Sequence, residues 1–224
     1  MKSLHLAPLE NGDHLNQSEF HRRYEGMSKD LRAELIGGIV FKGGRRTATQ
    51  GRCHVRLISL LTHYEDATSG IEALGPVTTI LGPLSETEPD ACLIVRPDRG
   101  GQTWEDADGY MNGAPEWVGE ICSGPDSIEL HRKKIDYERF GVREYVVAAV
   151  RTQEVYRFVR RAGLLERVSY DPDGIFRSPI FPGLWLDPVA LLTNDNKRLL
   201  VVLRRGLASP EHAAFVAKLA AKKS

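Results

Sequence analysis

The sequence predicts an α/β domain in which a mixed β-sheet is flanked by helices. Three observations carry that reading. Ala114 to Val150 has the pattern of strand, turn, helix and strand; Glu88 to Val95 reads as another core strand; and apolar periodicity places a helix before them and antiparallel strands after them. A chain of 224 residues suits one domain with extensions and is long enough to bury a sizeable core.

Composition narrows the class further. Charged residues make up 27% and hydrophobic residues 42%, as in ordinary water-soluble domains. Lys+Arg and Asp+Glu both number 30, so the formal net charge is zero, and any nucleic acid must be held by local basic patches rather than by bulk charge. Cys53, Cys92 and Cys122 are too widely separated for a zinc knuckle or a secreted disulfide framework. The absence of an apolar leader or a membrane-length run points to a cytoplasmic protein with no membrane association.

The elements follow in order. Residues 1–16 read as a loose polar leader, 17–195 as a single domain, and 196–224 as a C-terminal extension with an amphipathic helix. Ser18 is placed to cap a short helix containing Phe20 and Tyr24. Leu35 to Phe41 reads as a strand with Glu34 at its start. No acid occurs between Glu34 and Glu65, so Lys42, Arg45, Arg46, Arg52 and Arg56 form the most cationic window in the chain. A glycine-hinged basic loop entering a helix suits phosphate; a solvated loop and a basic helix face are the alternative. Val55, Ile58 and Leu61 give that helix an apolar face. Ile71 to Leu81 and Ala91 to Val95 look like a hairpin-like pair, and 98–113 like an irregular excursion with a short helix around Trp104 and Tyr110.

Glu120 interrupts the apolar strand formed by Trp117, Val118 and Ile121, and a carboxylate buried there is costly without a cation beside it. Ser123-Gly124-Pro125-Asp126 then supplies the turn into a helix. At about 100° per residue, Leu130, Lys133, Tyr137 and Phe140 share one face, while Arg132, Asp136, Glu138 and Arg139 point elsewhere. A buried Glu120–Lys133 ion pair is the simplest consequence. Asp90, at the entrance of a neighbouring strand, adds a second carboxylate; two acids and an inward lysine can hold a divalent cation and orient water for attack on a phosphodiester. Strand parity puts Cys92 on the face of Asp90 and Cys122 on that of Glu120, where both read as small core residues in preference to metal ligands.

Pro89-Asp90, Ala114-Pro115-Glu116 leading to Glu120-Ile121-Cys122-Ser123, and Lys133 with Tyr137, Gly141-Val142 and Glu144-Tyr145 resemble the Uma-two family of restriction-endonuclease-like proteins, within the PD-(D/E)XK nuclease superfamily. The upstream Glu34-Leu35-Ile36-Gly37-Gly38 matches an early element of that family, and the resemblance runs roughly from Phe20 to Leu192. It implies a restriction-endonuclease-like fold of core order αβββαβ. It also implies a Mg²⁺- or Mn²⁺-dependent endonuclease acting on DNA, commonly as a homodimer. Asp90, Glu120 and the backbone carbonyl of Ile121 would be metal ligands, Lys133 would orient water and stabilise charge, and Glu34 would be an auxiliary acid. From the cationic window, Arg45, Arg46, Arg52 and Arg56 would meet nucleic acid; His54, at a helix position where the family often has a histidine, would join them near the site, or else be a packed helix histidine. In the superfamily's commonest pattern the lysine lies two residues after the second acid; here that position is Cys122, and Lys133 resembles a lysine that has migrated to the following helix. Glu129 stands where the family usually has aspartate.

Beyond the core, Glu154 to Arg161, Leu164 to Tyr170 and Ile175 to Ile180 read as further antiparallel strands, followed by a closing turn and a short helix over Val189 to Leu192. Ser209-Pro210 has the chemistry of a final helix start, and Phe215 and Leu219 lie on a face suited to the chain's own domain or to a partner. The competing class is a non-catalytic nuclease-fold module that binds nucleic acid or acts as a structural accessory, favoured by the zero net charge and by Cys122. A globular enzyme with a metal-free Glu–Lys pair would instead place Asp90 far from Glu120.

Overall fold

The computed structural model describes residues 7–28 and 30–222. Helix α1 (Gln17–Glu25) is capped by Asn16, whose side chain accepts the Glu19 N–H at 2.9 Å. The cap is therefore two residues before the expected Ser18, because the extended backbone at Asn16 sets its side chain over the first turn. Strands β1 (Ala33–Ile36) and β2 (Ile39–Lys42) replace the single strand expected over Leu35 to Phe41. Gly37 (φ 58°) and Gly38 (φ 79°) both adopt left-handed backbone, which closes a two-residue hairpin.

Helix α2 (Ala48–Asp66) begins with a capping box between Thr47 and Gln50. Its buried stripe is Cys53, Leu57, Leu60, Leu61 and Tyr64, at helical spacing; Val55, expected inside, is 67% exposed. Strands β3 (Ile71–Leu74), β4 (Thr79–Gly82), β5 (Ser85–Thr87) and β6 (Ala91–Val95) follow. Gly75-Pro76 breaks the long strand expected here, so β3 pairs with β6 while β4 and β5 form a hairpin in a second sheet. Around Trp104 and Tyr110 the chain forms strands β7 (Trp104–Glu105) and β8 (Met111–Asn112) in place of a helix. Asp106 bends them together by accepting the Tyr110 N–H at 2.9 Å and the Asn112 amide at 2.8 Å.

The second half supplies β9 (Trp117–Cys122), α3 (Arg132–Phe140), β10 (Glu144–Ala149), β11 (Glu154–Arg161), β12 (Leu164–Arg167), β13 (Phe176–Arg177), β14 (Trp185–Leu186), α4 (Pro188–Leu192), α5 (Asn196–Leu207) and α6 (Pro210–Ala221). The main sheet has the order β12-β11-β10-β9-β6-β3; only the β9–β10 pairing is parallel. In chain order α2, β3, β6, β9, α3 and β10 give helix, three strands, helix, strand. The second sheet runs β2-β1-β5-β4-β8-β7.

Strand alternation divides the core. Leu93, Trp117, Ile121, Val146 and Ala148 pack with the buried stripe of α2, and Cys92, Val118, Cys122, Tyr145 and Val147 pack with Tyr137 of α3. Glu120, two residues from both Val118 and Cys122, faces α3. Leu199, Leu203 and Leu219 belong to the α2-side core, so α5 and α6 pack on their own domain. The described part of the leader is also packed: Leu9 is fully buried with Phe20, Leu35 and Val40, and the Gly12 N–H donates to the Val40 carbonyl at 2.9 Å. Among the described residues no helix is long and apolar enough to cross a membrane.

Candidate active site

The antiparallel register of β6 and β9 pairs Ala91 with Gly119, which sets Asp90 beside Glu120 and Ile121. The Ile121 N–H donates to Asp90 Oδ2 at 2.8 Å, fixing the carboxylate against β9. Asp90 Oδ1 accepts from the Arg46 guanidinium. Beneath it, the Asp90 carbonyl accepts from His54 Nε2 at 2.8 Å, so the His54 ring proton resides on Nε2. His54 thus supports the Asp90 backbone from α2.

Glu120 is 3% exposed and meets two groups from one face of α3. Lys133 Nζ lies 2.6 Å from Glu120 Oε1, and the Tyr137 hydroxyl donates to the same oxygen at 2.9 Å. Four residues apart on a helix, Lys133 and Tyr137 point together. Lys133 Nζ also lies 2.8 Å from Glu34 Oε1, which accepts the Glu88 N–H at 2.6 Å. The acid on β1, the acid on β9 and the lysine on α3 therefore form one chain of contacts. Glu34, Asp90, Glu120, Ile121 and Lys133 line a common cleft of about 290 Å³, together with Arg45, Arg46, Gln50, Glu88, Cys122 and Glu129.

Burial pushes the Glu120 carboxyl above its ordinary value, Lys133 opposes that rise, and the nearby Asp90 and Glu34 charges add to it. Burial by itself would lower Lys133, but Glu120 and Glu34 outweigh it and hold the amine well above its ordinary value, as an ammonium. Burial also raises the Tyr137 phenol, with Glu120 adding to it, so this hydroxyl is a donor. The Cys92 thiol is pushed up to about 12 by burial, which makes it an inert core group.

Two placements differ from expectation. Asp136, expected to point away from the site, is 2% exposed, and its Oδ2 accepts the Gly37 N–H at 2.6 Å. The second sheet folds over that flank of α3, so a direction read from one helix alone misjudged its surroundings. Arg45 and Arg46 reach the cleft, whereas Arg52 and Arg56 lie in a separate groove with Ala48, Gly51, Val55, Ser59 and Asn196. Sequence reasoning missed the role of Tyr137 as a partner of Glu120, although its spacing from Lys133 carried the signal, and it missed the Arg46–Asp90 pair, for which spacing carries none.

Among the described residues no group of three or more His, Cys, Asp or Glu side chains is arranged to hold a metal. The carboxylates that line the cleft are those of Asp90 and Glu120, with Glu34, Glu88 and Glu129, and Ile121 lines it as well. These are hard oxygen ligands of the kind Mg²⁺ and Mn²⁺ take, but Arg46 and Lys133 already pair with Asp90 and Glu120, so a dication would have to share or displace those partners.

A family model described as "Putative restriction endonuclease", Uma2, matches residues 17–190. The chain belongs to the Uma2 family. The match spans Glu34, Asp90, Glu120 and Lys133 and leaves α5 and α6 outside. Membership supports a nuclease function for this Uma2 chain. A crystal structure from Anabaena variabilis, described as a "putative nuclease belonging to DUF820", is 15% identical with a TM-score of 0.61 and covers 77% of this chain and 96% of its own. At that identity the likeness is one of fold, and the Uma2 chain shares it. No curated protein matches the chain.

Proposed function

We propose that this Uma2 protein is a divalent-metal-dependent endonuclease that hydrolyses DNA phosphodiester bonds. The observation that supports the reading most directly is that Asp90 and Glu120, from adjacent strands, share one cleft with a lysine ammonium 2.6 Å from Glu120. Asp90, Glu120 and the Ile121 carbonyl would hold Mg²⁺ or Mn²⁺, which when bound supplies Lewis-acid polarisation of a phosphoryl oxygen and a more acidic water. The residues of the chain do the rest. Held as an ammonium between Glu34 and Glu120, Lys133 donates: it orients a water and stabilises negative charge developing on the phosphoryl group. Tyr137 fixes the Glu120 carboxylate by its hydrogen bond. Arg45 at the cleft and Arg52 and Arg56 along α2 supply phosphate contacts that position the strand without reading sequence. Homodimerisation would set one cleft against each strand of a duplex.

A second reading, a non-catalytic module that kept the fold, has one specific observation in its favour: Arg46 and Lys133 already pair with the two key carboxylates. Calorimetry with Mn²⁺ on the wild type and Asp90→Ala, with a plasmid-nicking assay, separates them. Binding and nicking that both vanish in Asp90→Ala support the nuclease; a wild type that binds no Mn²⁺ supports the module.

A further inference from the structure

The two cations of the cleft are held very differently. Lys133 is 2% exposed, sits on α3 and is anchored by two acids. Arg46 has a side chain 38% exposed and belongs to the segment between β2 and α2, which carries no regular secondary structure. The Gly43 N–H that opens the segment donates to the Arg32 carbonyl at 2.7 Å, while a Cβ on Gly44 would meet open space. The capping box at Thr47 fixes the start of α2 directly after Arg46, so freedom is confined to Gly44, Arg45 and Arg46. Its partner, Asp90, has a side chain only 2% exposed and is secured by the Ile121 N–H, so the acid stays while the arginine can leave.

Charge makes the consequence specific. Arg32, Lys42, Arg45, Arg46 and Lys133 against Glu34, Glu88, Asp90, Glu120 and Glu129 leave the lining of the cleft without net charge. A dication added to these groups makes the lining positive, a charge that phosphodiester oxygens answer. An arginine displaced from Asp90 by a dication remains at the cleft mouth, with a planar fork suited to phosphate oxygens.

We propose that Arg46 is an exchangeable counter-ion: it holds Asp90 in the metal-free protein, yields that oxygen to the divalent cation, and then binds the substrate phosphate. This rests on the metal-dependent nuclease reading. It makes Arg46 a competitor of metal and a contributor to turnover, two effects of opposite sign in one residue.

The test is Mn²⁺ titration calorimetry and plasmid nicking on the wild type, Arg46→Ala and Arg46→Lys, with folding checked by circular dichroism. Arg46→Ala is expected to bind Mn²⁺ about tenfold more tightly, having lost a charged competitor for Asp90, while kcat falls by about tenfold or more. Arg46→Lys, which keeps the charge without the fork, is expected to restore Mn²⁺ affinity toward wild type and leave kcat low. Unchanged or weaker Mn²⁺ binding by Arg46→Ala, with a wild type that binds and nicks, overturns the exchange and leaves the nuclease reading intact. Unchanged kcat in Arg46→Ala overturns the phosphate role. Absence of Mn²⁺ binding in all three proteins overturns both the inference and the nuclease reading.

Discussion

Lys133 stays charged in a nearly dry site because Glu34 and Glu120 meet it at 2.8 and 2.6 Å. Replacing it with methionine keeps the volume and removes the charge, leaving Glu120 buried against Asp90 and Glu34 without its nearest cation. Lys133→Met is expected to lose about 3–5 kcal/mol of stability, read from urea midpoints, and to lose nicking activity. Glu120 gives a pH dependence of definite sign. Its folded carboxyl lies above its ordinary 4.5, with burial the largest cause, so in this range the native state binds more protons than the unfolded chain. Its contribution to stability is therefore greatest at low pH and is lost as pH rises from the ordinary carboxylate range through the raised value. Glu120→Gln should flatten that part of the stability profile in chemical denaturation across pH. Metal binding needs the carboxylate, so wild-type Mn²⁺ affinity should strengthen with pH over the same interval, as calorimetry at pH 6 and pH 8 will read.

Single contacts add to what ties one element to another. The Asp136 carboxylate receives the Gly37 N–H and so joins α3 to the β1–β2 turn, three residues from Glu34. Asp136→Ala should cost about 1–3 kcal/mol by stranding that amide. It should also weaken nicking, because the turn next to Glu34 then loses one of its ties to α3 and the Lys133–Glu34 pair must hold more of the alignment; urea unfolding and the nicking assay measure the two effects. Gly119 plays a comparable part between α2 and β9. A Cβ there would come within 2.7 Å of the Trp117 ring and 2.9 Å of Leu57 Cδ2, so the helix can pass over the strand only with hydrogen at this position. The close approach at Gly119 also brings α2 near enough for His54 to reach the Asp90 carbonyl.

At the scale of the molecule, α5 and α6 are part of the fold. Leu199, Leu203 and Leu219 fill the core beneath α2, His212 Nε2 meets the Thr68 hydroxyl at 2.9 Å, and a Cβ on Gly206 would overlap the Gly183 carbonyl. A chain ending at residue 195 exposes that apolar face and is expected to lose its cooperative thermal transition in calorimetry. The outer face of α2 has a different consequence. Arg52 and Arg56 form no ion pair among the described residues, in a chain of zero net charge, and they lie along the helix whose first turn walls the cleft. Replacing both with alanine should weaken DNA binding about equally for all sequences and reduce the slope of log K against log salt by about 2, measured by fluorescence anisotropy.

The α/β class, the core order, the family and the acids and lysine of the cleft were legible in the linear chain. Each of these is written locally, in apolar periodicity, turn chemistry and a charged residue standing where burial forbids one without a partner. Lys133 and Tyr137 could be aimed from helical spacing, and Glu120 from strand alternation. Only the tertiary structure decided that Arg46 meets Asp90, that Asp136 faces inward, that β4 and β5 leave the main sheet, and that Arg52 and Arg56 lie outside the cleft. Those outcomes depend on which surface is laid over which, between residues tens of positions apart, and periodicity within one element carries no information about its neighbour.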